Sequence, residues 1–216
     1  MSEDTNNKTI NWAKEIWEWF YTIIIALIIA MLIKTFLFDV VKVDGSSMFP
    51  TLENNDRLIV TKLGYEPSQG DIIILDSTYE KREKYYNSIA EQKGVAELGF
   101  FEKFAESRAL SEDLQKRYYV KRIIALPGQT IDLRDGKVYV DDQLLDEPYY
   151  EGITESIDST VEYPVTVEPD TVFVMGDNRT RSKDSRSSDL GLVPYDAILG
   201  KAKLRIWPFT ALGFVD

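Results

Sequence analysis

Residues 16–38 form an apolar run interrupted by charge only at Glu18 near its start and Lys34 near its end. A helix of that length crosses ~30 Å of hydrocarbon, and no other segment limits the fold as strongly, because its side chains need an apolar environment on every side. Trp12, Trp17, Trp19 and Tyr21 crowd one end, where indole and phenol rings favour the headgroup layer. Lys34 can snorkel at the other. A cleaved export signal is the competing reading, but the run is long and no small-x-small site follows in Lys34-Thr35-Phe36-Leu37-Phe38-Asp39, so an uncleaved anchor is expected. The expected division is an N-terminal tail at 1–15, a transmembrane anchor at 16–38 and one β-rich domain over 39–216. Charge does not orient the anchor, since Lys8 and Lys14 balance Lys34 and Lys42.

Beyond the anchor the periodicity turns strand-like. Short runs rich in Val, Ile and Tyr recur at 38–43, 57–61, 71–75, 118–126, 130–133, 137–140, 171–175 and 197–206. Asp135-Gly136 between alternating runs signals a two-residue hairpin, and Pro127-Gly128 another turn. Residues 79–117 break the pattern. They carry many Glu, Lys and Arg, and they space Leu98, Phe101, Phe104 or Ala105, and Leu114 as a helix would along one face. A helical insertion between two strands is expected there, as a lid or spacer or as a docking surface. The fold class is therefore mainly β, an antiparallel domain with one N-terminal transmembrane helix and a helical insertion.

Composition narrows the chemistry. The 216 residues include no histidine and no cysteine, which removes Ser-His-Asp, Cys-His and His-ligated metal chemistry from a single chain. No metal and no cofactor are expected. A net charge of −11 disfavours a nucleic-acid partner, which needs a basic face. A side-chain nucleophile here has a lysine or a carboxylate as its base. No Gly-x-Ser-x-Gly elbow and no Ser-x-x-Lys tetrad occurs, so the usual patterns of α/β-hydrolases and penicillin-binding proteins are missing.

Three clusters can carry chemistry. In Gly45-Ser46-Ser47-Met48-Phe49-Pro50-Thr51-Leu52, Ser47 sits where the chain must turn, because Phe49 precedes proline and cannot be helical. Such a turn exposes a hydroxyl and a backbone N–H together, although many loop serines do nothing more. In Tyr119-Val120-Lys121-Arg122-Ile123-Ile124, strand alternation puts Lys121 on one face with Tyr119 and Ile123, and Arg122 on the other. Either one of the two cations meets apolar surroundings, or the strand is an edge with both heads in water. Desolvation lowers a lysine pKa whereas arginine stays charged, so only Lys121 can become a base near neutral pH. The third cluster, Gly176-Asp177-Asn178-Arg179-Thr180-Arg181-Ser182-Lys183-Asp184-Ser185-Arg186, has the short polar side chains of a loop that closes on itself, with an Asp184–Arg186 ion pair.

Taken in order, the anchor, these clusters, Gly70-Asp71-Ile72-Ile73 and Pro127-Gly128 resemble the bacterial type I signal peptidases, particularly their Gram-positive-like members. The resemblance implies a membrane-bound serine endopeptidase that removes signal peptides from exported preproteins. It implies Ser47 as nucleophile, Lys121 as general base, Ser182 as the hydroxyl that positions the lysine, and Asp177, Asn178, Asp184 and Arg186 as the structure of the site loop. It also implies a single pass through the bacterial cytoplasmic membrane, with the catalytic domain on the extracytoplasmic side and preproteins and the bilayer as partners. Gly45 stands where some relatives have a serine that donates to the oxyanion hole, which leaves the backbone N–H of Ser47 as the expected donor. Gln69 replaces an arginine found in some relatives, and the 79–117 insertion exceeds the connector those members generally carry.

Overall fold

The protein is described here by a computed structural model covering residues 12–215; residues 1–11, most of the expected tail, and Asp216 lie outside the described residues. The apolar run forms helix α1 (Trp12–Phe36). Its stretch Glu15–Lys34 has a mean hydropathy of 2.2 and is not covered by the rest of the chain, so by length and composition it is a candidate span. The helix ends before the expected boundary at 38, because Phe38 already pairs as a strand residue.

The strands follow in chain order as β1 (Phe38–Lys42), β2 (Arg57–Thr61), β3 (Ile72–Asp76), β4 (Tyr118–Ala125), β5 (Thr130–Arg134) and β6 (Lys137–Val140). After them come β7 (Gln143–Leu144), β8 (Val165–Thr166), β9 (Thr171–Met175), β10 (Val193–Pro194), β11 (Ile198–Trp207) and β12 (Gly213–Phe214). One sheet runs β1-β2-β11-β3-β4-β9-β10 with β12 added on β11, and a smaller one runs β7-β6-β5-β8. Every pairing is antiparallel, as the alternating runs predict. The β5–β6 turn has Asp135 and Gly136 at φ 49° and 72°, the left-handed pair that a tight hairpin requires.

Two apolar layers cover the larger sheet. Ile72 and Ile74 of β3 pack with Val43, Met48, Leu52, Leu58 and Val60, while Ile73 and Leu75 pack with Ile123, Val172 and Val174. A strand buried on both faces reads as a continuous apolar run, and burying each such side chain stabilises by about 1.5–3 kcal/mol. Met48 and Leu52 belong to the first layer, so the loop after β1 is pinned by the side chains that flank Ser47 in sequence.

The interval 79–117 is helical, as α2 (Tyr79–Lys93), α3 (Phe100–Ser107) and a short 3-10 turn at Glu112–Leu114. Gly94 stops α2 in the left-handed conformation at φ 69°, where glycine carries no steric penalty. The stems of the insertion meet where Ser77 N–H donates to the Arg117 carbonyl at 2.8 Å. Arg82 of α2 pairs with the buried Asp76 at the end of β3. The face expected to pack is not the one that does. Leu98 is buried against Tyr86 and Ala90 of α2, whereas Phe101 and Phe104 are exposed. Leu98 precedes α3 rather than lying on it, so helical spacing does not carry from Leu98 to Phe101, and α2 supplies the partners instead.

Candidate active site

The loop after β1 is built to present Ser47. Gly45 turns at φ 95°, its N–H held by the Asn54 side chain at 3.0 Å. Phe49 N–H returns to the Ser46 carbonyl at 3.2 Å and Leu52 N–H to the Met48 carbonyl at 2.9 Å. With Met48 and Leu52 sunk in the core, Ser47 stands at the rim, half-buried. No hydrogen bond among the described residues uses its backbone N–H.

Lys121 and Arg122 lie on β4, which is flanked by β3 and β9. The strand is interior, and both cations are buried, each about 3% exposed, where one buried head or an open edge was expected. They reach opposite outcomes. Arg122 is neutralised by a two-point bond to Asp177, Nε to Oδ1 and Nη2 to Oδ2 at 2.9 Å each, and its guanidinium lies 4.0 Å from the centre of the Tyr149 ring. Among the described residues no carboxylate forms an ion pair with Lys121. Its Nζ lies 3.0 Å from Ser47 Oγ and 2.9 Å from the Val120 carbonyl. Burial pulls its pKa down from 10.5 to about 8, against the more distant pull of Asp184 and Asp177.

The loop after β9 joins the two. Asp177, besides holding Arg122, accepts the Thr51 hydroxyl, so one carboxylate ties the serine loop to the residue beside the lysine. Asn178 donates its backbone N–H to the Ser47 carbonyl at 3.0 Å and its side-chain amide to the Ser46 carbonyl at 3.0 Å. Asp184 accepts Gly176 N–H at 3.0 Å and pairs with Arg186 through both oxygens, closing the loop as its composition predicts.

Ser182 is buried, yet its Oγ has no hydrogen-bond partner among the described residues; the second contact of Lys121 Nζ is the Val120 carbonyl instead. The hydroxyl sits against Gly176, where an added Cβ would lie 2.3 Å from it and 2.4 Å from the Ser47 carbonyl oxygen. Gly176 thus admits the backbone of the serine loop.

Several partners of the site's charged residues carry no sequence signal. Arg179 is buried and bonded to Glu147, to Thr154 Oγ1 at 2.6 Å and to the Gly176 carbonyl at 3.1 Å, with Tyr150 4.9 Å from its guanidinium carbon. Its charge within the third cluster was visible, but Glu147, Tyr149 and Tyr150 come from the segment between β7 and β8, which has no periodicity to mark it.

The serine and lysine open on a cleft of about 570 Å³ lined by 41–47, 116–121, Arg181 and Lys183. Among the described residues β1 pairs only with β2, and β4 pairs with β9 only from Arg122 onward. Both walls therefore present unpaired backbone, which can bind an extended peptide by strand addition. The arrangement suits nucleophilic attack on an amide: a hydroxyl, a desolvated amine within hydrogen-bond reach and an unused N–H at one point.

Residues 16–207 match the family described as signal peptidase, peptidase S26. Signal peptidase I of Bacillus licheniformis is 33% identical over 221 residues, covering 98% of this chain and all of the relative. Signal peptidase I T of Bacillus subtilis strain 168 is 33% identical over 225 residues, covering 98% of each. A crystal structure of a signal peptidase I from Enterococcus faecalis V583 aligns with a TM-score of 0.41 at 24% identity, covering 63% of this chain and 97% of that one.

Proposed function

The chain belongs to the signal peptidase family, peptidase S26, and from that premise we propose that Ser47 and Lys121 are the nucleophile and general base with which it cleaves signal peptides from exported preproteins. The observation that carries the reading is the 3.0 Å approach of Lys121 Nζ to Ser47 Oγ by an amine whose burial brings its pKa near the working range.

The neutral amine takes the Ser47 proton as Oγ attacks the scissile carbonyl. The resulting oxyanion falls to the unused Ser47 N–H, a donor of a kind typically worth ~3 kcal/mol in the transition state. As the C–N bond breaks, the ammonium gives its proton to the leaving amine, and an ester on Ser47 remains. Water, deprotonated by the same amine, then cleaves that ester and restores Ser47. Ser182 is the lysine-orienting hydroxyl in this scheme, supported by its burial without another partner beside the loop. Asp177, Asn178, Asp184 and Arg186 hold the loop that positions Ser47.

The bilayer enters through α1. Only residues 39–46 separate Phe38, the first residue of β1, from the nucleophile, a link that even fully extended reaches ~30 Å, so the site stays near the membrane surface. The exposed Phe49, Trp207 and Phe209 suit contact with the headgroup layer. The short N-terminus lies in the cytoplasm and the β domain on the extracytoplasmic side of a bacterial cytoplasmic membrane.

Ser47→Ala and Lys121→Met are each expected to abolish cleavage of a preprotein in detergent while the far-UV circular dichroism of the folded domain is retained. Wild-type-like cleavage by either variant rules the dyad out.

A further inference from the structure

On the reading of the cleft given above, we propose that the aromatic face of α3 and the groove beside it receive the apolar stretch of the signal peptide, extending the binding surface beyond the catalytic cleft. Phe100, Phe101 and Phe104 are 78%, 83% and 56% exposed, which is unusual for three phenylalanines on one short helix of a well-covered domain. The polar residues of α3 are engaged instead: Lys103 pairs with Glu83 at 3.0 Å and Glu102 with Lys93 at 3.5 Å. Phe100 and Phe104 line a groove of about 400 Å³ between the insertion and the larger sheet.

That groove runs into the cleft. Lys116 and Tyr118 line both. A peptide paired with the unpaired edge at 118–121 leaves the serine, passes Tyr118 after ~10 Å of strand and reaches the aromatic face. An export signal carries 7–15 apolar residues just ahead of its cleavage point, so one flank of the substrate matches this surface chemically. The floor argues for a polypeptide rather than lipid. It holds the Arg82–Asp76 and Lys103–Glu83 pairs, and a charged floor disfavours hydrocarbon tails, whereas a peptide backbone brings hydrogen-bonding groups of its own.

The test uses the full chain in detergent with two substrates: a preprotein with its apolar stretch, and a short peptide spanning the same cleavage point without it. For Phe100→Ser/Phe104→Ser, KM for the preprotein rises about tenfold, as loss of two partly buried rings implies, while kcat/KM for the short peptide stays within about twofold. An unchanged preprotein KM overturns the proposal. So does a variant whose only defect is weaker flotation with phosphatidylglycerol vesicles in the absence of substrate, which assigns the face to lipid. An equal loss on both substrates also overturns it, since the face then acts through the catalytic residues. Preprotein binding to Ser47→Ala and to Ser47→Ala/Phe100→Ser/Phe104→Ser, read by fluorescence anisotropy, is independent of turnover. It separates failure of this surface from failure of the Ser47–Lys121 assignment.

Discussion

At the scale of single residues, the decisive contrast is between the two neighbouring cations of β4. Both are buried to the same extent and both lie over an aromatic ring, yet Arg122 has a carboxylate while Lys121 has a hydroxyl and a carbonyl. Only the unpaired one can give up its charge. Burial holds Lys121 at about 8, and on the proposed assignment a lysine base works only when neutral, so kcat/KM should climb with pH below about 8 and level off above it. A profile that is highest in acid contradicts a lysine base. Gly176 makes a second prediction. A methyl there collides with the Ser47 carbonyl and Ser182 Oγ, and displacing a nucleophile by about 1 Å costs on the order of a hundredfold. Gly176→Ala should therefore lower kcat/KM for peptide by about that factor with KM little changed, measured on protein whose circular dichroism matches the parent. Ser47 and Lys121 stood out in the sequence because the missing histidine leaves a lysine or a carboxylate as base and because both lie in motifs that resemble those of the type I signal peptidases. Glu147 and Tyr149 were not, because they meet Arg179 and Arg122 only through long-range folding and nothing in their local sequence anticipates it.

At the scale of elements, local pattern was a good guide where a strand was long enough to alternate. The runs at 57–61, 137–140 and 171–175 match β2, β6 and β9 to the residue. The two-residue strands β7, β8, β10 and β12 are too short to show a period, and they exist because a neighbouring strand offers an edge. The insertion was legible as helix but not in its packing, since α2 and α3 are separate cylinders joined at Gly94 to Gly99. Its attachment rests on the Arg82–Asp76 pair, with both side chains nearly excluded from solvent. Arg82→Ala leaves Asp76 buried and unpaired, a loss of about 3–5 kcal/mol. Limited proteolysis within 79–114 should then speed up and the thermal midpoint fall. Adding Asp76→Asn, which removes the stranded charge, should recover part of the midpoint. No change in either readout shows that the ion pair does not secure the insertion.

At the scale of the whole molecule, an apolar helix and a well-packed β domain are joined by almost no linker, Phe36 ending α1 and Phe38 opening β1. The domain has its own core, so removal of residues 1–36 should leave cleavage of a short peptide in detergent within a few-fold of the full chain. Cleavage of preproteins embedded in vesicles should fall by at least about tenfold, because the anchor supplies the effective concentration at the surface. Equal rates on embedded preproteins show that α1 has no part in delivering substrate. This two-part organisation was visible from hydropathy alone, whereas the closeness of Ser47 to Lys121 was not, since the two are 74 positions apart. That separation has its own consequence. During synthesis the alcohol leaves the ribosome long before the amine, and until β3, β4 and β9 have come together the amine is bathed in water and keeps its proton. A growing copy therefore does not yet hold an alcohol and a desolvated amine together.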